Sequence, residues 1–337
     1  MKQLFEGPLP LRLYGLCLAA AAGACLFWLV CRGRGKLKKG TCSLFALLAL
    51  PLAFLCARLG LCLVSQGLYL FQQGFFFDFS RGGFMLYGAM AGIVLAAALT
   101  AKIAGESFPG LLDAAAPPGL ALIAAARFSE GLIGVGYGRS IYDWFDPMLE
   151  MNMISLEDPE PLLRFPFGIQ NYYGDWHWSI FLLEGVLAVV FVFLVLRREK
   201  KDAPGPGGLF LLALLAYASA QTWLESLRED AIPRWGFVRV NQLLSGVAVV
   251  LVLALSTLRL RRSGRPVPRA AWCGVLLGMG MIVAMEFAVE QKIPFLQWMK
   301  MDLCYLVMGL SSLALFRIGL AVWNRAWPSA EKGADRP

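Results

Sequence analysis

The sequence predicts an all-α polytopic bundle of nine transmembrane helices, and three observations carry that prediction. Of the 337 residues, 58% are hydrophobic and only 16% are charged, with a mean hydropathy of +0.62; a soluble domain carries roughly 25% charge. The apolar residues gather into runs of about 18–25, the length that crosses a hydrocarbon core of about 30 Å as a helix. The cations lie in short loops between the runs, and a lone segment inside a bilayer satisfies its backbone N–H groups only as a helix.

The runs fall at 11–31, 42–66, 83–103, 111–133, 177–196, 207–226, 238–258, 270–289 and 297–321. The connections "CRGRGKLKKG", "RREKK" and "RLRRSGRPVPR" hold five, four and five cations and share one side of the membrane if all nine runs span it. The positive-inside rule makes that side the cytoplasm, with the amino terminus outside and the carboxyl terminus inside. The long connection after the fourth run, 139–176, carries seven acidic residues against two arginines and belongs outside. The net charge of +8 is then a sum of cytoplasmic flanks, attractive to anionic lipid headgroups, and needs no nucleic acid to explain it. "KDAPGPGG" reads as a short linker.

Eight cysteines lie in or beside apolar runs with no CxxC and no Cys/His cluster, so they read as small buried hydrophobes rather than a disulfide framework or a metal site. "AAGAC", ending at Cys25, is read as a chance likeness to a lipoprotein cleavage box. The sequence shows no P-loop, no GxGxxG after a strand and no internal repeat of the transporter kind.

Against this background Arg58, Arg127, Glu130, Glu184, Glu225, Arg228, Glu286 and Asp302 stand inside or at the ends of apolar runs. An ionised side chain at the bilayer centre costs about 2.5–3.5 kcal/mol on insertion scales, and arginine cannot escape by losing its proton. Arg127 with Glu130, and Glu225 with Arg228, are three apart and able to share a helix face. Two readings follow. In one, these are structural ion pairs that fix helix packing. In the other, the arginines line a polar cavity whose guanidinium forks hold a phosphate, at a depth where a phospholipid headgroup supplies one.

The glycines at 131, 134, 136 and 138 either bring backbone N–H groups to an anion or, at Gly134 and Gly138, let elements pack closely. His177, the single histidine, lies between Trp176 and Trp178 and reads as an interfacial anchor rather than a base. Glu286 and Asp302 fall in runs without an assigned role.

Read together, several stretches resemble the prolipoprotein diacylglyceryl transferase family over about residues 7–258. "GPLPLRLYGL" at 7–16 is similar to the family's opening span, including Tyr14 and Gly15; "ARLG" at 57–60 resembles its arginine motif; "GGFMLYGAMAG" at 82–92 falls in step with its "GG...HG...G" segment. "LLDAAAPPGLALIAAARFSEGLIGVGYGR" at 111–139 matches its signature region and places Arg127 on an arginine the family needs. "FLLEG" at 181–185 and "GGLFLLALLAYASAQTWLESLRED" at 207–230 put Glu184, Glu225 and Arg228 in matching places, and "NQLLSGVAVVLVL" continues the likeness.

The resemblance implies an enzyme of the bacterial plasma membrane that moves diacylglyceryl from phosphatidylglycerol to the lipobox cysteine of a prolipoprotein. Its partners are phosphatidylglycerol or another anionic phospholipid, the prolipoprotein signal peptide and the membrane itself, with no metal and no cofactor. Thiolate attack on a glycerol carbon expels glycerol phosphate, so such a site needs a route for the thiol proton and cations for the departing phosphate. Arg127, Glu130, Tyr87 and Glu225 are then expected at the reacting groups. Tyr14, Arg58, Gly83, Gly88, Gly134, Glu184, Gln221 and Arg228 are expected to bind substrate.

The chain departs from the family at four positions. Tyr87 stands where the family has histidine, Glu130 where it has asparagine, Val135 where it has glutamate and Gln221 where it has arginine. Glu130 is a candidate replacement base if burial raises its pKa. A catalytically silent paralogue that binds phospholipid or lipoprotein precursors is the alternative these departures leave open. Residues 1–260 form the expected transferase-like core, and 261–337 add two helices and a cytoplasmic tail.

Overall fold

The computed structural model describes residues 8–34, 36–65, 83–142, 165–171, 173–229, 234–235, 238–290, 292, 294–296 and 298–328. Among them are nine helices long and apolar enough to cross a membrane. They are α1 (Pro8–Gly33), α2 (Thr41–Val64), α3 (Leu86–Ala104), α4 (Phe108–Glu130), α5 (Ile180–Asp202), α6 (Gly208–Leu227), α7 (Val240–Arg262), α8 (Arg269–Val289) and α9 (Met301–Ala326). The fold class agrees with the sequence prediction. Most of the acidic connection between the fourth and fifth runs, 143–164, and the tail from 329 lie outside the described residues.

Lipid-facing character is plain on the flanks, where Leu47, Leu63, Ile103, Phe193 and Leu277 are exposed; a soluble chain would bury such side chains. Inside, Leu212, Leu215, Val249, Leu253, Leu315 and Trp323 form a core shared by α6, α7 and α9. A second cluster joins α1 to α4 through Leu29, Phe45, Ala96, Ala97 and Leu111. α6 is the most buried of the nine helices and also the least apolar.

Short-range chemistry sets the helix ends. Ser107 caps α4 by accepting a bond from Gly110 N at 3.3 Å, as an N-cap serine does. The amino terminus of α6 is capped from another helix: Asp113 on α4 accepts bonds from Gly207 N at 2.7 Å and Phe210 N at 2.8 Å. Its carboxylate satisfies two of the donors that a helix start leaves orphaned. α2 and α3 approach closely because of glycine. A Cβ at Gly92 would lie 2.3 Å from the Leu52 carbonyl oxygen, and one at Gly88 2.5 Å from that of Cys56.

One end of the bundle carries the basic loops, tied together by Glu199, which pairs with Arg32 and, at 2.8 Å, with Lys36. The opposite end holds two small hairpins. Strand β1 (Gly168–Gln170) pairs antiparallel with β2 (Trp176–Trp178), setting Ile169 opposite His177. β3 (Arg234–Trp235) pairs with β4 (Val238–Arg239) ahead of α7. The chain leaving α4 is stitched to this end by bridges between Gly138 and Arg228 and between Ser140 and His177.

Candidate active site

Arg127 and Glu130 are the last charged residues of α4, and their spacing of three does what the sequence predicts: Arg127 Nη1 lies 2.6 Å from Glu130 Oε1. The network then extends across helices. Arg127 Nε lies 3.0 Å from Glu184 Oε2 on α5, and Nη2 donates to the Tyr217 hydroxyl on α6 at 3.4 Å. Arg228 follows the end of α6 in an extended conformation. That geometry sends its guanidinium across the bundle, 2.9 Å from Glu184 Oε2 and 3.2 Å from Glu130 Oε2. Two arginines thus grip two carboxylates, with Glu184 at 1% exposure shared between them.

One helical turn before Glu225, Gln221 continues the chain. Its Nε2 donates to Glu184 Oε1 at 3.0 Å and to Glu225 Oε2 at 2.7 Å, while its own Oε1 is buried without a partner. Asn241 Nδ2 on α7 donates to the other oxygen of Glu225 at 3.0 Å. Tyr87 on α3 reaches α7, its hydroxyl 2.6 Å from Ser245 Oγ. Ser245 Oγ donates to the Asn241 carbonyl at 2.6 Å. The serine proton is therefore used, so Tyr87 is the donor of its pair and its own oxygen remains an acceptor. Tyr14 on α1 lies within electrostatic range of Glu130, Arg127 and Arg228.

The glycines after Arg127 serve this packing. Gly136, at φ 80°, would place a Cβ 2.5 Å from Glu130 Oε2 and 2.8 Å from Phe181 Cβ. Gly134 has φ 66°, and Gly138 presses on Ile180, where a Cβ would meet Cγ1 at 2.7 Å. Arg58 is fully buried and donates from Nη1 to the carbonyl of Gly83 at 3.0 Å. Gly83 takes φ 85°, and Gly88 packs on α2.

His177 lies on β2, ahead of α5, which begins at Ile180 rather than at 177. Its Nδ1 is 2.9 Å from the Gly138 carbonyl, its Nε2 is 3.0 Å from Asn171 Nδ2, and its ring stacks 6.0 Å from Tyr137. Burial raises the Tyr137 pKa above the ordinary phenol value, so that hydroxyl stays protonated at neutral pH. All eight cysteines are free.

Sequence reasoning passed over Arg239, the second residue of the seventh run, because a cation at the end of a run reads as an interfacial flank. It is 3% exposed. Nη1 donates to the carbonyl of Glu225 at 2.5 Å and to that of Arg228, holding the turn that carries both. Burial disfavours its charge and lowers its pKa, with Glu286 the first of the groups opposing that. The signals in the sequence were an arginine at the start of the seventh run and a glutamate without a role in the eighth.

Chemically, the assembly offers guanidinium forks for an anion, carboxylates for a proton, and a buried setting at the end of the bundle opposite the basic loops. Comparison with known proteins bears on which chemistry that is. Residues 2–258 match the family described as prolipoprotein diacylglyceryl transferase. The phosphatidylglycerol–prolipoprotein diacylglyceryl transferase of Bacillus velezensis is 29% identical over 258 residues, 75% of this chain and 89% of the relative. That of Bacillus licheniformis is 28% identical over 266 residues, covering 78% and 93%, and that of Geobacillus kaustophilus 28% over 259, covering 76% and 91%. The match takes in α1 to α6 and α7 as far as residue 258, together with the whole Arg127–Glu130–Glu184–Arg228 network, and the chain belongs to the prolipoprotein diacylglyceryl transferase family.

Proposed function

We propose that this chain transfers diacylglyceryl from phosphatidylglycerol to the lipobox cysteine of a prolipoprotein. The observation that carries the reading is the buried network of Arg127, Glu130, Glu184 and Arg228, built by family-matched helices at one end of the bundle. In the reaction the cysteine sulfur attacks the glycerol carbon that bears the phosphate ester. A carbon–sulfur bond forms, the carbon–oxygen bond breaks, and its electron pair leaves with glycerol phosphate. Arg127 and Arg228 supply the charge that stabilises that leaving group, and Glu130 takes the thiol proton. Glu184, Gln221 and Glu225 hold the arginines and the end of α6 in place, Tyr87 orients α3 against α7, and Tyr14 borders the network. Arg58, Gly83 and Gly88 fix the α2–α3 pair beside it.

One observation favours a second reading, a silent paralogue that binds phospholipid or a lipoprotein precursor. Two arginines of the network face three carboxylates, those of Glu130, Glu184 and Glu225. Such a cluster opposes a phosphate until one carboxylate takes up a proton. The thiol proton is the natural source in the active reading.

The test is purified full-length protein in vesicles of phosphatidylglycerol with a lipobox peptide, scored by glycerol phosphate release and peptide mass gain. Transfer supports the first reading. Retained lipid binding without transfer, and no rescue of a transferase-depleted strain, supports the second. The same reading places the protein in the bacterial plasma membrane, amino terminus outside and carboxyl terminus in the cytoplasm, with 1–260 as the transferase core. A carboxyl-terminal reporter active outside the cytoplasm would overturn that orientation.

A further inference from the structure

α8 and α9 lie beyond the family-matched residues 2–258, yet they are not appended at a distance. α9 runs along α6. Ser312 Oγ donates to the Ser219 carbonyl at 2.5 Å, and Trp323 Nε1 to that of Gly208 at 2.8 Å. Gly319 gives Leu215 its room, since a Cβ there would meet Leu215 Cδ1 at 2.6 Å. Near the end of the bundle that holds the network, Met285, Cys304, Tyr305 and Met308 pack around Trp223 and Leu227 of α6.

Within that contact lies a charge. Glu286 on α8 is 5% exposed, and its Oε1 stands 3.4 Å from Arg239 Nε. Among the described residues it is the one carboxylate within 4 Å of the Arg239 guanidinium. Glu286 Oε2 is buried and accepts no hydrogen bond. A buried guanidinium needs a partner charge, and removing that partner is far more damaging than never having had the pair. Arg239 in turn ties down the carbonyls of Glu225 and Arg228.

We propose that Glu286 is a positioning residue for the transferase site: as counter-ion of Arg239 it fixes, through Arg239, the turn that sets Glu225 and Arg228. The inference rests on the transfer activity proposed above. The two helices outside the family-matched region are accordingly part of the working enzyme. Glu286 touches neither substrate nor reacting atoms. Without its charge, the Arg239 guanidinium turns toward the Glu225 carboxylate and competes with Gln221 and Asn241 for it.

The experiment uses the full chain with Glu286→Gln, Glu286→Asp, Arg239→Gln and the double Arg239→Gln/Glu286→Gln. In Glu286→Gln, kcat for transfer falls by about 10- to 100-fold, the scale of a small misplacement of reacting groups. The KM for phosphatidylglycerol changes less than about twofold, because no lipid contact is removed. Glu286→Asp keeps the charge and recovers most of the rate. The double variant is no slower than Arg239→Gln alone, since Glu286 acts through Arg239.

Amide hydrogen exchange of the segment 222–229 supplies a second arm that needs no activity. It rises in Glu286→Gln and is unchanged in α1–α4. Unchanged exchange in a folded Glu286→Gln protein overturns the proposal, as does an additive loss of kcat in the double variant. A parent without transfer would refute the functional reading, while the exchange arm still decides the positioning role. A Glu286→Gln protein that does not fold leaves Glu286→Asp to report: its exchange matching the parent supports the charge argument, and raised exchange with normal kcat sinks it.

Discussion

Replacing Gln221 by arginine puts a guanidinium between two carboxylates that now share one amide nitrogen. Gln221 Nε2 stands 3.0 Å from Glu184 and 2.7 Å from Glu225, a spacing that a planar fork can bridge. The substitution also removes the unpartnered Gln221 Oε1. It brings the network from two arginines facing three glutamates to three facing three. At an effective dielectric of about 20, a unit charge about 7 Å from a phosphate contributes roughly 2 kcal/mol, about 30-fold in an equilibrium constant. The extra volume costs about 1–3 kcal/mol in a packed site. That cost falls on free and bound protein alike and cancels from lipid affinity. Gln221→Arg therefore lowers the KM for phosphatidylglycerol by about 10- to 30-fold, measured as transfer to a lipobox peptide across vesicles of varied phosphatidylglycerol content. An unchanged or raised KM in a folded variant refutes the reasoning, because the added charge would then not sense a phosphate at Arg127 and Arg228.

Adding Tyr87→His to Gln221→Arg raises turnover as well, by up to about 100-fold over the parent, since a donor placed at a developing charge is worth about 2.7–4 kcal/mol; the single-turnover rate reads it. Arg127→Ala alone destabilises by about 3–5 kcal/mol by leaving the buried carboxylates of Glu130 and Glu184 to Arg228 alone, whereas Arg127→Ala with Glu130→Ala costs less than the two single changes together. Thermal unfolding in detergent checks the stability, and parent-like phosphatidylglycerol binding by the double variant would remove Arg127 from phosphate recognition. Gly136→Ala forces a Cβ against Glu130 at φ 80° and lowers both stability and transfer, while Gly280→Ala, with nothing within 4 Å, leaves both unchanged; paired melting curves and rates distinguish them. Asp113→Ala uncaps α6 and costs about 1–2 kcal/mol, read as a lower melting temperature with an unaltered KM.

The nine helices were legible because hydrocarbon imposes length and apolarity together. Helix ends were less so. The first, fifth, seventh and ninth apolar runs end at 31, 196, 258 and 321, whereas the helices continue to Gly33, Asp202, Arg262 and Ala326. Their last turns are charged or basic, and long cationic side chains reach water from a helix that hydropathy has already stopped counting.

The Arg127–Glu130 pair was readable from its spacing, and Gln221 sharing a face with Glu225 likewise. Arg228 was not. Its distance of three from Glu225 suggests pairing along one face, but the helix ends at Leu227 and the side chain crosses to Glu184 and Glu130. Arg239 and Glu286 lie 47 positions apart in sequence, and no periodicity links residues brought together by the packing of α8 on α6 and α7. The same holds for Asp113, whose role depends on a helix start almost a hundred residues later.

The burial of α6 also shapes how the protein must be made. Ser219, Gln221, Thr222, Glu225 and Ser226 are sheltered in the finished bundle, in part by α9, whose last residue is Ala326. A ribosome working at about 5–20 residues per second needs roughly 5–20 s to reach that point after finishing α6. During the interval the least apolar helix of the nine sits in the bilayer with one flank uncovered. Nascent chains halted before α9 should accordingly stay bound to the insertion machinery or be degraded by membrane proteases, and those released with α9 complete should not.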